Sequence, residues 1–416
     1  MDELNTGSNT QPFTDCNITN KNIYKDFTID IKKQYILIEG KEYRKENIPG
    51  LMQYYIKEYG EDSFHCSLAA FLEEWFNDSP LVKVHTSGST GTPKELWVEK
   101  QRMINSAVMT LSFLGLKKSD KALLCMPMKY IAGKMVVVRS LVAGLDIIPV
   151  VPCGRPMQNI NIIPEFAAMI PMQVFNSLQN EEDKEKLSQI KNLIIGGGAI
   201  DENLSLQLSK FPNPVWSTYG MTETLSHIAL RRISGEKASK WYTPFEYVKL
   251  SSSEEGALII DAPLVSKEKL YTNDIVEFNS FGQFTITGRK DNIINTGGVK
   301  VQIEKVEEEL KKTMPDLKFM ITSVPDEKFG ERIILLLENK NMNYDGTDYK
   351  NISINSEKCQ TENKKQKENK IIEAISTLPK FWRPKNIIYT DNLPLTETGK
   401  PDRANAKKLA KSLSLN

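Results

Sequence analysis

The densest chemistry in this chain lies at residues 85–94, which read His-Thr-Ser-Gly-Ser-Thr-Gly-Thr-Pro-Lys. Thr86, Ser87, Ser89, Thr90 and Thr92 offer hydroxyls, Gly88 and Gly91 let backbone approach an anion closely, and Lys94 adds a mobile positive charge. Those are the parts of a polyphosphate cradle. The common phosphate loop needs Gly, four residues, then Gly-Lys-Ser/Thr, and this segment fails that pattern because Thr92 and Pro93 separate Gly91 from Lys94. A flexible Ser/Thr/Gly linker has the same composition. The flanks argue against a linker, since residues 81–84 and 95–98 both read as strands and would pin the loop in place.

Five further segments carry candidate chemistry, each with a plainer alternative. Gly197, Gly198 and Ala199 follow an apolar strand and would let a flat ligand lie on backbone; a tight strand–helix turn explains them equally well. In Trp216-Ser217-Thr218-Tyr219-Gly220-Met221-Thr222-Glu223-Thr224, Tyr219 can stack on a base and Gly220 gives close backbone access. Thr222 there offers a hydroxyl to phosphate and Glu223 a hard oxygen ligand for Mg²⁺. The alternative is a strand followed by a helix that Thr222 caps. Asp274 can take both hydroxyls of a ribose, or serve as a turn residue. Arg289 can reach ribose or phosphate, and the charged stretch around Asp291 reads as a hinge. Gly297 and Gly298 follow it and also suit a hairpin turn. Lys400 sits on a Gly-Lys turn near the C-terminus, a position where lysines are usually only solvated.

These groups need elements to hold them. From residue 82 to 151 apolar strands alternate with helices: a helix at 103–114, a strand at 122–126, a helix at 131–143 and a strand at 146–151. A helix at 166–178 and a strand at 192–195 continue the series. The fold class expected is α/β, with helix-covered sheets in a large N-terminal domain. A small β-rich part begins at about residue 245, and a smaller, mobile α+β C-terminal domain follows. The expected division is a disordered 1–20, a large domain over 21–290 and a small one over 291–416, interrupted by a disordered polar insertion at 340–370.

Composition bounds the function. The chain has 416 residues with 54 basic and 53 acidic side chains, so no general nucleic-acid or membrane-surface binding is expected. Five scattered cysteines without a Cys-x-x-Cys read as free thiols of a reducing compartment. The N-terminus lacks a basic region followed by an apolar run, and the most apolar stretch, 135–152, is broken by Arg139 and Asp146. It is too short and too charged to span a bilayer. A cytoplasmic protein without membrane insertion is expected. Three histidines leave little material for zinc chemistry or a histidine-based triad.

Jointly and in this order, the segments resemble the acyl-adenylate-forming (AMP-binding) superfamily, from about residue 81 to 408 without the 340–370 insertion. The resemblance implies ATP, Mg²⁺, CoA and a small carboxylic acid as ligands. Thr86, Ser87, Gly88, Ser89, Thr90, Gly91, Thr92 and Lys94 would hold the β- and γ-phosphates. Gly197, Gly198 and Ala199 would line adenine, with Tyr219 and Gly220 opposite. Thr222 would touch the α-phosphate, Glu223 would help hold Mg²⁺, and Asp274 and Arg289 would bind the ribose. Lys400 would enter the site during adenylation, Asp291 would be the hinge, and Gly297 and Gly298 would line the thiol channel. The early phosphate loop implies a trimmed first lobe, and that compactness resembles o-succinylbenzoate–CoA ligases of menaquinone biosynthesis. So do residues 126–135 and 217–232. Tyr130 stands where most of the superfamily carries histidine, and its ring would wall the acyl pocket. Such a substrate has a spare carboxylate, for which Lys134, Ser226, His227 and Arg231 are candidate partners; solvated charges and a packed histidine are the alternative. Another acyl- or aryl-acid CoA ligase, or a carrier-protein acyl-adenylating enzyme, is the competing reading. A non-catalytic nucleotide binder is a third, and the joint retention of Lys94, Glu223, Asp274, Arg289 and Lys400 argues against it.

Overall fold

The structure, a computed structural model, describes residues 26–85, 95–338, 351–353, 362–396 and 400–414. Among these residues nine strands form one sheet, in the order Thr243–Pro244, His227–Arg232, Val215–Gly220, Asn192–Ile195, Phe166–Met169, Lys121–Leu124, Asp146–Pro149, Ile36–Ile38 and Lys41–Tyr43. The strands from Val215–Gly220 to Ile36–Ile38 run parallel, and the outer strands add antiparallel edges. Alternate residues serve two cores, as the pleat requires. Ala122, Leu124, Phe166, Ala168 and Ile194 face one, while Leu123, Ala167, Met169, Leu193 and Ile195 face the other. Parallel strands covered on both faces are apolar throughout.

That rule accounts for one correction. Residues 166–178 are not a single helix: Phe166–Met169 is a fully buried strand, and Pro171 then opens the helix Pro171–Leu178. A short apolar run carries no period to separate strand from helix, but proline at the first helical position marks the start. The helix Ile131–Ala143 is buried from Gly133 to Ala143 and packs on Lys100–Leu114. A helix without a polar face belongs inside a core, and this one carries Arg139 at its centre.

A four-stranded antiparallel sheet follows: Lys249–Ser252, Ala257–Asp261, Leu270–Phe278 and Phe284–Arg289. The short turn Lys290–Asn292 leads into a further sheet, with strands Ile293–Thr296, Val299–Gln302, Phe319–Asp326, Gly330–Glu338, Asn351–Ser353 and Asn386–Thr390. The helices Ile303–Thr313 and Glu362–Thr377 share a core with one face of this sheet, and Arg403–Ser414 packs on the other. The expectation of disorder over 340–370 needs correction within the described residues. Asn351–Ser353 is a strand paired with Asn386–Thr390, and helix runs from Glu362. The expectation for 1–20 lies outside the described residues. No helix among the described residues is long and apolar enough to cross a membrane.

Candidate active site

The strands Leu81–His85 and Glu95–Glu99 pair antiparallel with His85 opposite Glu95. The ends of the hydroxyl-rich loop are therefore clamped together, while Thr86, Ser87, Gly88, Ser89, Thr90, Gly91, Thr92 and Lys94 themselves lie outside the described residues. Gly196 ends the strand at the sheet centre, and a Cβ there would sit 2.3 Å from Thr218 Oγ1. This close approach explains the first glycine of the triplet, and Gly197, Gly198 and Ala199 form the exposed or half-exposed turn after it.

The chain reverses sharply after Val215–Gly220. A Cβ on Gly220 would meet Ser226 O at 2.3 Å and the Cα of His227 at 2.5 Å, so only glycine lets the two strands touch. Thr222–Thr224 forms one short helical turn with Glu223 exposed. Met221, and not Thr222, stands at the cap position, and the Thr224 Oγ1 reaches back to accept from Met221 N at 3.0 Å. Leu225 then adopts φ +65°, a left-handed conformation unusual for a branched side chain. This strained reversal turns Ser226 and His227 into the molecule and leaves the Thr222 and Glu223 side chains at the surface.

On one side of this turn lies a cluster of charge. Tyr219 Oη donates to Asp274 Oδ2 at 2.6 Å, and Arg289 donates to Asp274 Oδ1 at 2.9 Å. Arg289 also makes a bidentate pair with Asp291, both contacts at 2.9 Å. The hydrogen bond to Asp291 raises the Arg289 pKa further, and burial and the Asp274 carboxylate push the Tyr219 hydroxyl up. Lys400 lies within electrostatic reach of the same group. Burial and the Arg289 charge push its ammonium down, partly offset by Asp274. Its loop is held by Thr396 N donating to Lys400 O at 2.8 Å, and by Arg403, which grips Glu307 with two contacts of 2.6 Å. Tyr219, Asp274, Arg289 and Asp291 are thus brought together from two sheets and the short turn Lys290–Asn292, and the charges of Arg289 and Asp274 act on Lys400 from the loop before the last helix. Gly297 and Gly298, at φ +58° and +80°, form the two-residue hairpin between Thr296 and Val299.

On the other side the site is buried. His227, 5% exposed, contacts Thr110 Oγ1 through Nε2 at 3.0 Å and Ser226 Oγ through Nδ1 at 3.3 Å. Arg139 donates to Ser226 Oγ at 2.7 Å. Arg139 is 2% exposed, its Nε has no hydrogen-bond partner, and it has no carboxylate partner among the described residues. Burial alone drags its pKa down to about 9. Burial, then the Arg139 charge, pushes the His227 imidazole well below its ordinary value, so it is neutral. The remaining acyl-side candidates are engaged elsewhere. Lys134 donates to Lys83 O and approaches Glu74 at 3.6 Å, and Arg231 lies over the Tyr242 ring and donates to Ser239 O. Tyr130 sits half-buried, just before the helix that carries Arg139.

Arg139 is the functional candidate that sequence reasoning missed. It was visible only as a charge interrupting an apolar run. The informative signal is a guanidinium in the middle of a helix with no polar face, because buried arginines are almost always paired. Among the described residues no group of three or more His, Cys, Asp or Glu could hold a metal by itself.

The family model for AMP-binding enzymes matches residues 32–257, more than half of the chain. The 2-succinylbenzoate–CoA ligase of Salmonella typhimurium is 28% identical over 287 residues, covering 65% of this chain and 61% of the relative. The enzyme of the same name from Escherichia coli is 27% identical over 318 residues, covering 71% and 68%. The chain thus spans about three fifths to two thirds of these relatives. A structure described as an AMP-forming acyl-CoA synthetase/AMP-acid ligase II-like protein from Dyadobacter fermentans is 28% identical, with a TM-score of 0.54, covering 83% of this chain and 94% of that one. The o-succinylbenzoate CoA synthetase of Bacillus subtilis, solved with its acyl-adenylate intermediate, shares the fold with a TM-score of 0.61 at 18% identity, covering 78% and 68%. That match over more than half of the chain shows the family: this chain belongs to the AMP-binding enzymes.

Proposed function

We propose that this protein is an ATP-dependent, AMP-forming acyl-CoA ligase. It activates o-succinylbenzoate as an acyl-adenylate and then forms o-succinylbenzoyl-CoA, a step of menaquinone biosynthesis. The observation that carries the choice of acid is Arg139, a buried cation with an orphaned Nε and no protein anion beside it. An unpaired buried charge is costly, and an anionic ligand relieves that cost. A dicarboxylic acid supplies such an anion while its other carboxylate reacts. Similarity to ligases named for this acid supports the same choice.

The remaining roles are part of the same reading. Thr86 to Lys94, between the paired strands Leu81–His85 and Glu95–Glu99, hold the phosphates of ATP. Gly197, Gly198 and Ala199 receive adenine, with Tyr219 and Gly220 opposite, and Asp274 and Arg289 take the ribose hydroxyls. Thr222 meets the α-phosphate. The exposed Glu223 would help hold Mg²⁺, an ion commonly held by one or two carboxylates and phosphate oxygens, which would supply neutralisation of the phosphate charge. Lys400, beside Asp274 and Arg289, stabilises the negative charge that develops as carboxylate meets the α-phosphorus. Rotation of residues 291–416 about Asp291 then withdraws Lys400 and brings Gly297 and Gly298 to the thiol path. Tyr130 walls the acid, and Ser226 and His227 line it beside Arg139. The reactions take place in the cytoplasm.

The test is pyrophosphate release with ATP, Mg²⁺ and a panel of acids, with and without CoA. Release with o-succinylbenzoate, and its thioester on adding CoA, is expected. Release only with benzoate or fatty acids rules out the dicarboxylate reading, and thioester formation only on a carrier-protein thiol rules out CoA.

A further inference from the structure

We infer that Thr110, on the helix Lys100–Leu114 and outside every motif discussed above, is a positioning residue for acid selection. It fixes which nitrogen of His227 carries the proton and, through Ser226, holds Arg139 aimed at the second carboxylate. The inference rests on the dicarboxylate reading for its use, but not for its geometry.

The argument is a count of protons. Arg139 only donates, so Ser226 Oγ accepts at that 2.7 Å contact. The one hydroxyl proton of Ser226 then has His227 Nδ1, at 3.3 Å, as its acceptor. A neutral imidazole that accepts at Nδ1 carries its proton on Nε2, which donates to Thr110 Oγ1 at 3.0 Å. The Thr110 hydroxyl in turn donates to the Ser106 carbonyl, one helical turn back, at 3.2 Å. Four hydrogen bonds therefore run head to tail from Arg139 to the backbone of Lys100–Leu114. The opposite tautomer leaves the Ser226 proton without an acceptor among the described residues. A charged imidazolium would stand buried beside Arg139, with no carboxylate to offset either. Thr110 and Ser226 are respectively fully and partly buried, and the Phe245 ring closes another side of His227 at 5.6 Å. The chain of bonds occupies one end of the Arg139 guanidinium and leaves Nε unpartnered.

Replacing threonine by valine keeps the shape but removes both the acceptor for Nε2–H and the anchor to Ser106. Two measurements test the role. The first is nitrogen NMR of histidine-labelled, ligand-free protein, which carries only three histidines. His227 is expected as the neutral Nε2–H form at pH 7, shifting towards the Nδ1–H form in Thr110→Val and returning in Thr110→Ser. A charged or Nδ1–H imidazole in the unmodified protein would overturn the relay, whichever acid the enzyme takes. The second compares KM for o-succinylbenzoate with KM for the same acid lacking its ring carboxylate. Thr110→Val is expected to raise the first about ten-fold, the typical worth of one buried hydrogen bond, with the second and the KM for ATP unchanged and Thr110→Ser restoring the ratio. An equal rise for both acids, or no rise, would overturn the selection role. Failure of the unmodified protein to use o-succinylbenzoate at all is the separate result that overturns the dicarboxylate reading.

Discussion

Two arginines flank the same turn and live in opposite circumstances. Arg289 is 41% exposed and pairs with Asp274 and Asp291, so its charge is balanced before any ligand arrives. Arg139 is 2% exposed and pairs with no carboxylate among the described residues. The first is a structural member of a charged cluster whose geometry a ribose can join. The second is a buried charge without that balance, which the proposed function supplies as the spare carboxylate of the acid. Pairing, more than the presence of an arginine, separates a group that shapes a site from one that waits for substrate.

The largest effect expected belongs to the paired cluster. Lys400→Ala should lower the rate of adenylation by on the order of a hundred-fold or more, about 3 kcal/mol of lost charge stabilisation. Thioester formation from supplied acyl-adenylate should be spared. Stopped-flow measurement of the two half-reactions decides this, and equal loss of both would contradict a lysine that leaves the site. The depressed Lys400 pKa adds a sign: adenylation needs the ammonium, so its alkaline limb should fall at a pH below lysine's usual 10.4 or so.

The sharpest contrast comes next. Arg139→Leu should raise KM for the dicarboxylate at least roughly thirty-fold, corresponding to about 2 kcal/mol or more for a desolvated charge pair. It should at the same time leave thermal stability equal or higher, because a buried unpaired charge has been removed. Arg289→Leu should do the reverse and lower stability, stranding Asp274 and Asp291. Calorimetry on both variants would undo the comparison if Arg139→Leu were the less stable.

A smaller change is expected from Asp274→Asn, which removes the charge from the bonds made by Tyr219 and Arg289. The KM for ATP should rise roughly ten-fold or somewhat more, at about 1.5–3 kcal/mol for charge-assisted hydrogen bonds, with the KM for the acid unchanged. Isothermal titration with ATP checks it.

The smallest effect is on stability in acid. The folded His227 pKa lies well below that of the unfolded chain, so the unfolded state takes up a proton first as pH falls. Stability is therefore full above about pH 6.5 and declines below it, by at most about 1.4 kcal/mol per pH unit for this one group. His227→Gln should flatten that slope in urea titrations at pH 5 and 7. An unchanged slope would mean that His227 is not buried neutral.

Much of this was legible in the residues. Glycines and hydroxyls marked the loop ends because close backbone approach leaves few alternatives, as the 2.3 Å clash at Gly220 shows. The helix at 131–143 was readable to the residue. The strand at Phe166–Met169 was not, since burial on both faces erases its alternation. On the acyl side the sequence displayed polar residues without saying which were already paired. Lys134 and Arg231 are engaged by Glu74, Lys83, Tyr242 and Ser239, partners remote in sequence or across a turn, whereas Arg139 has only the Ser226 hydroxyl and no carboxylate among the described residues. Pairing is a tertiary property, so the residue on which the proposed choice of acid rests was the one the pattern could not rank. Thr110 was hidden for the same reason: it lies 117 positions from His227.

The most direct test of the account is the preference between o-succinylbenzoate and the analogue lacking its ring carboxylate, measured as kcat/KM in the unmodified protein and in Arg139→Leu. The account predicts a strong preference for the dicarboxylate that collapses in the variant, with the analogue used equally well by both. A preference that survives the loss of Arg139 would contradict it.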